Sequence, residues 1–530
     1  MYRSADALRR PCSIGANAPV FLGTRSFQAR DSNAFFAALS RNTVLKELNF
    51  RYSSLECDSY PRILTEYLSK TTVLKVLVVD TVDEFVETAI IAGVLKNRSI
   101  ERLTLGWFTP SEGNTTAVAQ LISTNRVMRH FSLSTLFSVH DRRSAYNSWH
   151  RPLIENETLE EVSLPLMIFH PRKWAELFRK LPMKDNLKKI HIDPTFFWGQ
   201  PLQLVCAELK KSGSEGKVSL GCCRVIQSPD ILYCKSFSSV SLNTIEAITT
   251  TALRVLPNCE HITFVEMGIK VVDAPVNFAM AEFLESTKSL RKLRLSVNWG
   301  AHYVGYGENV GWHYVLDALS RNDSLRDLCV TLNRIGVQDT EGLADAVRRS
   351  TTIRSVEYVN RPTDNATVFV RRLAKDIVQD YILLTVCCRG NVDHDAAKDW
   401  FTVEDTARRN SNIVARAARL LKASPSDRYV IAALERVSMY PALQAEVADL
   451  LQMDKAELVS LIHDRITQTE SLDEFMWVTG VVKEGVSCHR SDDGAMQLDG
   501  LNEYCWRHVR RYLFVDDVKG DIGPLEITEM

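Results

Sequence analysis

An apolar spacing that recurs along most of this chain constrains its fold more than any other feature. In its clearest copy, apolar residues stand ten and six positions before Leu325 and three and five positions after it: Val315, Leu319, Leu328 and Val330. A gap of four places the first pair on one face of a helix, and a gap of two places the second pair on one face of a strand. Each copy therefore predicts a helix, a tight turn and a short strand.

The central residue of this frame, here called the anchor, recurs at intervals that are mostly 26 to 31 residues. The clear anchors are Leu45, Leu74, Ile100, Met128, Leu159, Leu187, Leu290, Leu325 and Ile353. Weaker copies are centred on Glu215, Cys259 and Leu383, and residues 222–242 are predicted to be an insertion. One such unit cannot bury its apolar face alone, so the units must stack.

The expected fold is therefore α/β. We expect a horseshoe-shaped solenoid of about eleven or twelve units over residues 31–394, with one parallel sheet on the concave side and helices on the convex side. Residues 1–30 are basic and are expected to be a disordered lead-in or a truncated first repeat. Residues 395–530 lack the strand half of the frame, and they are predicted to form a helical capping or accessory domain.

The turn between helix and strand has a recurrent polar residue three positions before the anchor. It is asparagine in five units, at Asn42, Asn97, Asn125, Asn156 and Asn322. Asparagine tolerates the left-handed conformation that often ends a helix, so these residues are expected to be C-caps.

The phrase that begins at Asn322 (Asn-Asp-Ser-Leu-Arg-Asp-Leu-Cys-Val) resembles leucine-rich repeats of the ribonuclease-inhibitor type. Repeats of this type also form the C-terminal part of NOD-like receptors and the Ran GTPase-activating proteins. The stretch 325–347 is the best match, and the resemblance extends over about residues 30–390. It implies a leucine-rich-repeat protein and, by itself, no particular activity.

Bulk composition limits the classes of partner. The formal net charge is −1 over 530 residues, which offers no overall attraction for nucleic acid or an anionic membrane. The 12 cysteines follow no disulfide framework, so we expect reduced thiols and a cytoplasmic or nuclear protein. We expect a monomer whose partner is another protein.

Motifs for chemistry are weak. The sequence has no Gly-x-x-x-x-Gly-Lys-Ser/Thr loop and no His-Glu-x-x-His helix. Cys488, His489, Cys505 and His508 contain ligand types for zinc, but adjacent Cys and His are poor ligand geometry, and a structural role is preferred. We therefore predict no enzyme activity, no cofactor and no metal.

The predicted binding surface is the concave face of the sheet, where strand residues outside the apolar frame point away from the helices. Its centre is basic, and the candidate partner-binding residues are Arg102, His130, Lys189, His191, Lys217, His261, Lys292 and Arg294. A continuous curved surface is what repeat proteins generally use to bind partners.

The leading hypothesis is a non-enzymatic interaction scaffold. One alternative is a substrate receptor of a ubiquitin ligase, in which the repeats select the substrate and the C-terminal helices bind the ligase. A second alternative, implied by the resemblance, is a GTPase-activating protein.

Overall fold

The computed structural model divides the chain into two compact units, Met1–Met267 and Gly268–Met530. The residues that it describes are 20–22, 38–39, 41–52, 60–81, 84–108, 111–136, 146–194, 200–225, 228–243, 246–270, 274–298, 311–333, 336–361, 365–422, 428–468, 472–479, 502–510 and 512–518.

Eight parallel strands form the first sheet of the first unit, and they pair in the order in which they follow along the chain. They are β1 (Val20–Leu22), β2 (Glu47–Tyr52), β3 (Val76–Thr81), β4 (Arg102–Phe108), β5 (His130–Leu136), β6 (Glu161–Pro165), β7 (Lys189–Asp193) and β8 (Val218–Leu220). Three further strands follow in the chain: β9 (Cys223–Arg224), β10 (Ser239–Leu242) and β11 (Phe264–Lys270). The strand β1 lies within the predicted lead-in, and its pairing with β2 fits a truncated first repeat.

Helices alternate with these strands in the first unit. The α-helices are α1 (Tyr60–Lys70), α2 (Glu84–Lys96), α3 (Glu112–Thr124), α4 (Asn147–Glu155), α5 (Pro171–Lys180), α6 (Gln200–Ser212) and α7 (Glu246–Val255). Short 3-10 helices cover Leu166–Ile168, Leu181–Met183, Pro229–Tyr233 and Leu256–Asn258.

The second unit contains four parallel strands with intervening helices and then helices alone. The strands are β12 (Lys292–Asn298), β13 (Asp327–Asn333), β14 (Ser355–Arg361) and β15 (Thr385–Arg389). The helices are α8 (Ala274–Ser286), α9 (Trp312–Arg321), α10 (Val337–Arg349), α11 (Asn365–Ala374), α12 (Ala397–Lys422), α13 (Arg428–Met439), α14 (Pro441–Leu451), α15 (Lys455–Gln468), α16 (Leu472–Thr479) and α17 (Glu503–Arg510). Further 3-10 helices are Ile377–Gln379, His394–Ala396 and Val515–Asp517.

The apolar frame forms the core, as predicted. In the repeat centred on Leu325, the helix residues Val315 and Leu319 and the strand residues Leu328 and Val330 are all at most 2% exposed. The equivalent residues around the other clear anchors are buried wherever the structure describes them. Burial of four or five such side chains per repeat drives the stacking of each repeat on the next.

A shared backbone joint links consecutive repeats. The carbonyl oxygen of Lys46, one position after an anchor, accepts hydrogen bonds from the N–H groups of Lys75 and Val76 in the next repeat, at 2.8 and 3.0 Å. The same two-to-one contact recurs at Lys75, Glu101, Arg129, Glu160, Ser238, Arg291, Arg326 and Arg354. These bonds satisfy the turn backbone before each strand begins.

The recurrent geometry of the turn comes from buried asparagine side chains. The amide nitrogen of Asn97 donates to the carbonyl oxygens of Leu68 and Thr71 in the preceding repeat, at 2.6 and 2.9 Å. Its amide oxygen accepts from the N–H groups of Ser99 and Ile100, both at 2.7 Å. Each such asparagine therefore fixes its own turn and also ties it to the previous repeat.

The predicted conformation of these asparagines is wrong, although their position at the helix end is correct. Asn125, Asn156 and Asn322 are C-caps with φ between −74° and −64° and ψ between 126° and 132°, which is extended rather than left-handed backbone. An extended residue lets the chain turn directly into the strand while the side chain reaches back to the earlier repeat. We call this series of contacts the asparagine ladder.

The expectation of one continuous sheet is also wrong, because Leu328 lies in a different sheet from Leu48. The break follows β8. Beyond that strand, the ladder of the first sheet is reduced to a single bridge between Leu220 and Phe237, with the Leu220 N–H donating to the Ser236 carbonyl at 2.7 Å. The chain then enters the pairing of β9 with β10 at Cys223.

Residues 222–242 form a short repeat rather than the predicted insertion. With Phe237 as its anchor, Val240 and Leu242 take the third and fifth positions, and all three are buried. The 3-10 helix Pro229–Tyr233 replaces the usual α-helix. A 3-10 helix has three residues per turn, so it does not keep the gap of four that marks the α-helices of the other repeats.

The frame predicted around Cys259 is shifted by three residues. In β11 the buried positions are Val265 and Met267, so the anchor is Ile262. Leu290, the next anchor, lies 28 residues after Ile262, which restores the usual repeat length.

Helix α12 takes the place of the next repeat after β15. Asn410, which is fully buried, donates to the carbonyl oxygens of Asp380 and Leu383 at 3.0 and 2.8 Å. The hydroxyl of Ser411 donates to the Leu384 carbonyl at 2.7 Å. The asparagine ladder therefore continues for one step into a helix that has no strand.

Helices α12 to α15 share a hydrophobic core that also includes residues of the last repeat. Tyr381 and Leu384 pack against it, and the Tyr381 ring stacks on Tyr440 with centroids 4.2 Å apart.

Among the described residues, no helix combines the length and the apolar composition that crossing a membrane requires. The predicted domain boundaries at residues 30 and 394 remain predictions.

Candidate functional site

The strands of the first sheet place two rows of side chains on the face opposite the buried frame, which we call the open face. The first row contains the residues two positions after successive anchors. In register, it consists of Arg102, His130, Glu161 and Lys189. We call it the charged row, and neighbouring members are about 4.8 Å apart at the backbone, as in any parallel sheet.

The second row contains the residues four positions after the same anchors and one more. In register, it consists of Thr104, Ser132, Ser163, His191 and Ser219. We call it the hydroxyl row. His191 is exposed and the other four side chains are half-buried. Small hydroxyl residues at consecutive positions produce a shallow polar strip beside the longer charged row.

The side chains of the hydroxyl row have no hydrogen-bond partner within the described part of the chain. Arg102 and Lys189 likewise have no ion pair there. The contrast within the charged row is His130, whose Nδ1 lies 3.2 Å from Glu161 Oε2. The open face therefore offers hydroxyl groups, one imidazole and two cations that the fold itself does not use.

Two of the predicted binding residues are tied to backbone carbonyls elsewhere. Lys217 Nζ donates to the carbonyl oxygens of Leu181 and Lys184, at 3.1 and 2.6 Å. His261 lies before β11, and its Nε2 is 3.0 Å from the Leu232 carbonyl oxygen. His261 was placed on the face by the shifted frame, so the structure brings neither residue into the charged or the hydroxyl row.

The other two predicted residues, Lys292 and Arg294, lie on β12 in the second unit. Arg294 stands in register with Cys329, Glu357 and Cys387 on the following strands. This row is bonded internally, unlike the hydroxyl row.

The groups of that second-unit row interact with one another and with Arg389, which lies two positions after Cys387 on β15. Arg389 Nη2 lies 2.9 Å from Glu357 Oε1. Burial, followed by the hydrogen bond that the thiol donates to Glu357, raises the pKa of Cys329, while its contact with Arg294 acts in the opposite direction. The row is therefore a satisfied polar network that holds adjacent strands together.

A third set of side chains lies one position after each anchor, at the end of the sheet where the strands begin. We call it the edge row. In the first unit it is self-paired: Lys75 Nζ lies 2.7 Å from Glu101 Oε1, and Glu160 binds both Arg129 and Lys188. The hydrogen bond from Lys188, followed by that from Arg129, lowers the pKa of Glu160.

In the second unit the edge row contains the adjacent arginines Arg326 and Arg354. Helix α14 supplies their counter-ions, since Glu446 binds Arg354 and Asp449 binds Arg326. Burial, followed by repulsion from Arg354, lowers the pKa of Arg326. The carboxylates of α14 therefore offset an unfavourable stack of like charges.

An open cavity of about 700 Å³ lies in the second unit at the ends of α10 and α11. Its lining includes Arg348, which contacts the carboxylates of Asp345 and Asp376 at 3.5 and 3.4 Å. These contacts neutralise the arginine, and the cavity has no cluster of catalytic side chains among its lining residues.

The described residues contain no group of three or more His, Cys, Asp or Glu side chains arranged to hold a metal ion. Cys488 and His489, from the weak zinc pattern, lie outside the described residues.

Sequence reasoning missed the importance of the hydroxyl row. The signal was present, because a serine or threonine occupies the fourth position after the anchor in three consecutive repeats, at Thr104, Ser132 and Ser163. What the sequence did not reveal is which charged residues are already paired, since that depends on the register between strands.

No family model matches this sequence, and no curated protein matches it. One similar solved structure is the leucine-rich repeat-containing protein LegL7 from Legionella pneumophila, with 10% identity and a TM-score of 0.32. The match covers 67% of this chain and 98% of that chain. At that score the likeness adds nothing to the geometry seen here. The chain's own parallel strands, alternating helices and asparagine ladder fit a leucine-rich-repeat protein.

Proposed function

We propose that this protein is a non-enzymatic scaffold for protein–protein interaction, built from ribonuclease-inhibitor-like leucine-rich repeats. Its partner binds the concave face of the solenoid, and the open face of the first sheet is the part of that face that makes the contact. The observation that carries this proposal is the hydroxyl row, five polar side chains in register that have no hydrogen-bond partner among the described residues.

The charge of this surface favours an acidic partner. Arg102 and Lys189, which have no ion pair with any described residue, lie on either side of the His130–Glu161 contact, so the charged row has a net positive character. Complementary charge accelerates association and selects among partners, while hydrogen bonds to the hydroxyl row supply directional contacts. Arg294 contributes less because its row in the second unit is satisfied internally, and Lys292 contributes less because it interacts with Asp327 on the next strand.

The helices after residue 395 serve as a cap for the repeat core. Asn410 and the shared core around Tyr381 support this role, since both continue the packing of the repeats. All nine cysteines among the described residues are free, which supports a reducing compartment such as the cytoplasm or the nucleus. We propose that the protein acts as a monomer.

A charge-reversal experiment tests the proposal. Partners are first captured from cells on the full-length protein, and each one is then purified and measured against the variant Arg102→Glu/Lys189→Glu. We expect at least a tenfold loss of affinity, mainly through slower association at low salt. The matched control is Lys96→Glu/Lys210→Glu, which makes the same charge change at exposed positions of helices α2 and α6.

Ser132→Ala/Ser163→Ala forms a second arm that leaves the charge unchanged. Loss of these hydroxyls should weaken binding mainly through faster dissociation, because hydrogen bonds form after encounter. Circular dichroism checks that each variant is folded. A partner that binds all the open-face variants as tightly as the unmodified protein would refute the proposed site.

A further inference from the structure

Residues 512–518 lie against helices α13 and α16 of the second unit, and we call them the docked segment. Its central side chain, Val515, is only 1% exposed. Val515 shares a buried apolar cluster with four residues of the two helices: Ile431, Ala432, Phe475 and Val478. Leu513 and Val518, which are partly buried, pack against the same cluster. One apolar residue therefore anchors the segment, and a weaker apolar contact lies on each side of it.

Two charged side chains of α13 bind the main chain of the docked segment. The carboxylate of Glu435, which is 5% exposed, accepts a hydrogen bond from the N–H of Val515 at 2.8 Å. Arg428 donates from Nη2 to the Val518 carbonyl oxygen and from Nη1 to the Thr479 carbonyl oxygen of α16, the latter at 3.4 Å. Contacts with main-chain groups do not depend on side-chain identity, so they would accept another peptide in the same conformation.

Arg436 of α13 selects among the side chains of the segment. Its Nε lies 3.6 Å from Asp516 Oδ2, and its guanidinium lies 5.8 Å from the centre of the Phe514 ring. The carboxylate of Asp517 accepts from the Phe514 N–H at 2.7 Å and so caps the 3-10 helix of its own segment. A run of aromatic, small apolar, acidic and acidic residues therefore supplies both the contacts with the helices and the shape of the turn.

We propose that this surface of α13 and α16 is a second binding site, separate from the open face, which recognises a peptide of that pattern in a partner protein. The docked segment occupies the site as an intramolecular substitute. Its contacts come from six consecutive residues, 513–518, and the bond to Glu435 spans 80 positions of sequence, so a separate peptide can make the same contacts. Covalent attachment gives the docked segment a high effective concentration, so only a tight or locally concentrated partner displaces it.

The test uses the full-length protein and a fluorescent peptide with the sequence of residues 512–518. Val515→Asp should detach the docked segment, because it places a carboxylate in the apolar cluster. We expect the peptide to bind this variant at least tenfold more tightly than it binds the unmodified protein, as measured by fluorescence anisotropy. A control peptide that carries the same Val515→Asp change should bind neither protein.

An exchange of charges tests recognition by Arg436. In the Val515→Asp protein, Arg436→Glu should weaken peptide binding at least severalfold, and a peptide with Asp516→Arg should restore it. The matched control is Arg419→Glu, which makes the same charge change at an exposed position of α12 and should leave peptide binding unchanged. Restoration by the exchanged charges would not follow from a merely structural role of Arg436.

The unmodified protein decides the outcome even if Val515→Asp fails to fold. Excess unlabelled peptide, above about 1 mM, should displace the docked segment and accelerate hydrogen exchange at the Val515 N–H, which Glu435 binds in the structure. The proposal is overturned if this exchange stays unchanged and no folded form of the protein binds the peptide. Dimers of the unmodified protein that the peptide dissociates would overturn it in favour of segment exchange between two copies of the chain.

Discussion

The two units use the same repeat to different ends, and their polar rows show this most clearly. In the first unit, the edge row is neutralised within itself through Glu101 and Glu160, whereas the hydroxyl row of the open face has no partner in the part of the chain that the structure describes. In the second unit, the edge arginines depend on carboxylates of α14, and the open-face row is closed by Glu357 and its neighbours.

The difference separates the surfaces that stabilise the fold from those that remain for binding. A polar group that already has an intramolecular partner contributes little to the free energy of binding another molecule, because one hydrogen bond must break for each that forms. Groups without a partner among the described residues, such as those of the hydroxyl row, give up only hydrogen bonds to water when another molecule binds. This contrast is why we propose the first unit as the recognition surface, whereas the edge arginines of the second unit pair with the C-terminal helix α14.

The largest expected effect tests whether the second unit depends on its arginine pairs. Arg354→Ala leaves Glu446 without its main counter-ion, and the Arg354 side chain is only 9% exposed. We expect a loss of about 3 kcal/mol in the free energy of unfolding, as is typical when one partner of a largely buried ion pair is removed. Urea titration with hydrogen exchange of residues 353–361 measures it.

The matched variant in the first unit is Arg129→Ala. That side chain is 58% exposed, and Glu160 keeps its contact with Lys188. The expected loss is below about 1 kcal/mol, because exposed ion pairs contribute little. Equal losses in the two variants would remove the energetic contrast between the edge rows.

The asparagine ladder is common to both units, so replacing one of its asparagines should lower the free energy of unfolding by a similar amount in each. Asn322→Ala removes a hydrogen bond to the Leu284 carbonyl at 2.6 Å and two bonds accepted from the turn. A lost helix cap costs about 1 kcal/mol. Here we expect about 2 kcal/mol, because buried groups are left unpaired.

The first-unit counterpart is Asn125→Ala. Its amide nitrogen makes a longer contact with the Asn97 carbonyl, at 3.4 Å, so we expect a slightly smaller loss in the same urea titration. If Asn322→Ala costs no more than a surface substitution, the ladder has no special role in joining repeats.

The smallest expected effect is the loss of stability at acid pH from one ion pair. The hydrogen bond from Arg372, with Nη2 2.6 Å from Asp345 Oδ2, lowers the pKa of Asp345. Because the folded value lies below the unfolded one, this pair stabilises the fold above the unfolded pKa of about 3.9, and the contribution is lost as the pH falls through the folded value. We expect less than about 1 kcal/mol, since the pair is partly exposed.

Unfolding of Asp345→Asn at about pH 6 and about pH 3, compared with the unmodified protein, measures this contribution. The difference between the two proteins should shrink at the lower pH. A difference that grows on acidification would contradict the assigned sign. Glu160→Gln is the counterpart in the first unit: hydrogen bonds from Lys188 and Arg129 also lower the pKa of that carboxylate, so its contribution should change with pH in the same direction.

The repeat frame was predictable because it reflects local periodicity. Leu325 and its four companions are apolar at helical and strand spacings, and these residues are buried whatever the neighbouring repeats contain. The frame failed at Cys259 because Ala252 and Leu253 are both buried on α7, so the helix fits either of two frames. Only the buried positions of the strand, Val265 and Met267, show which of the two frames is correct.

The properties of the site were less predictable, because they arise between strands. The contact of His130 with Glu161 joins residues 31 positions apart and depends on the register of β5 with β6. The carboxylate of Glu446 lies 92 positions from Arg354. The short repeat at residues 222–242 was missed because a 3-10 helix lacks the spacing that identified the others.

The asparagine ladder makes the regular repeats interchangeable, because each is joined to the next through the same contacts. Because Asn97 and Asn125 occupy equivalent joints, excision of residues 98–125 would bring Asn97 to the place of Asn125 and remove one whole repeat without altering the chemistry of the new joint. Duplication of the same segment would lengthen the array equally well. The joint at Leu220 and the terminal joint at Asn410 have unique partners, so they do not interchange. Changes in the length of this protein by whole repeats are therefore tolerated best within the regular part of the first sheet.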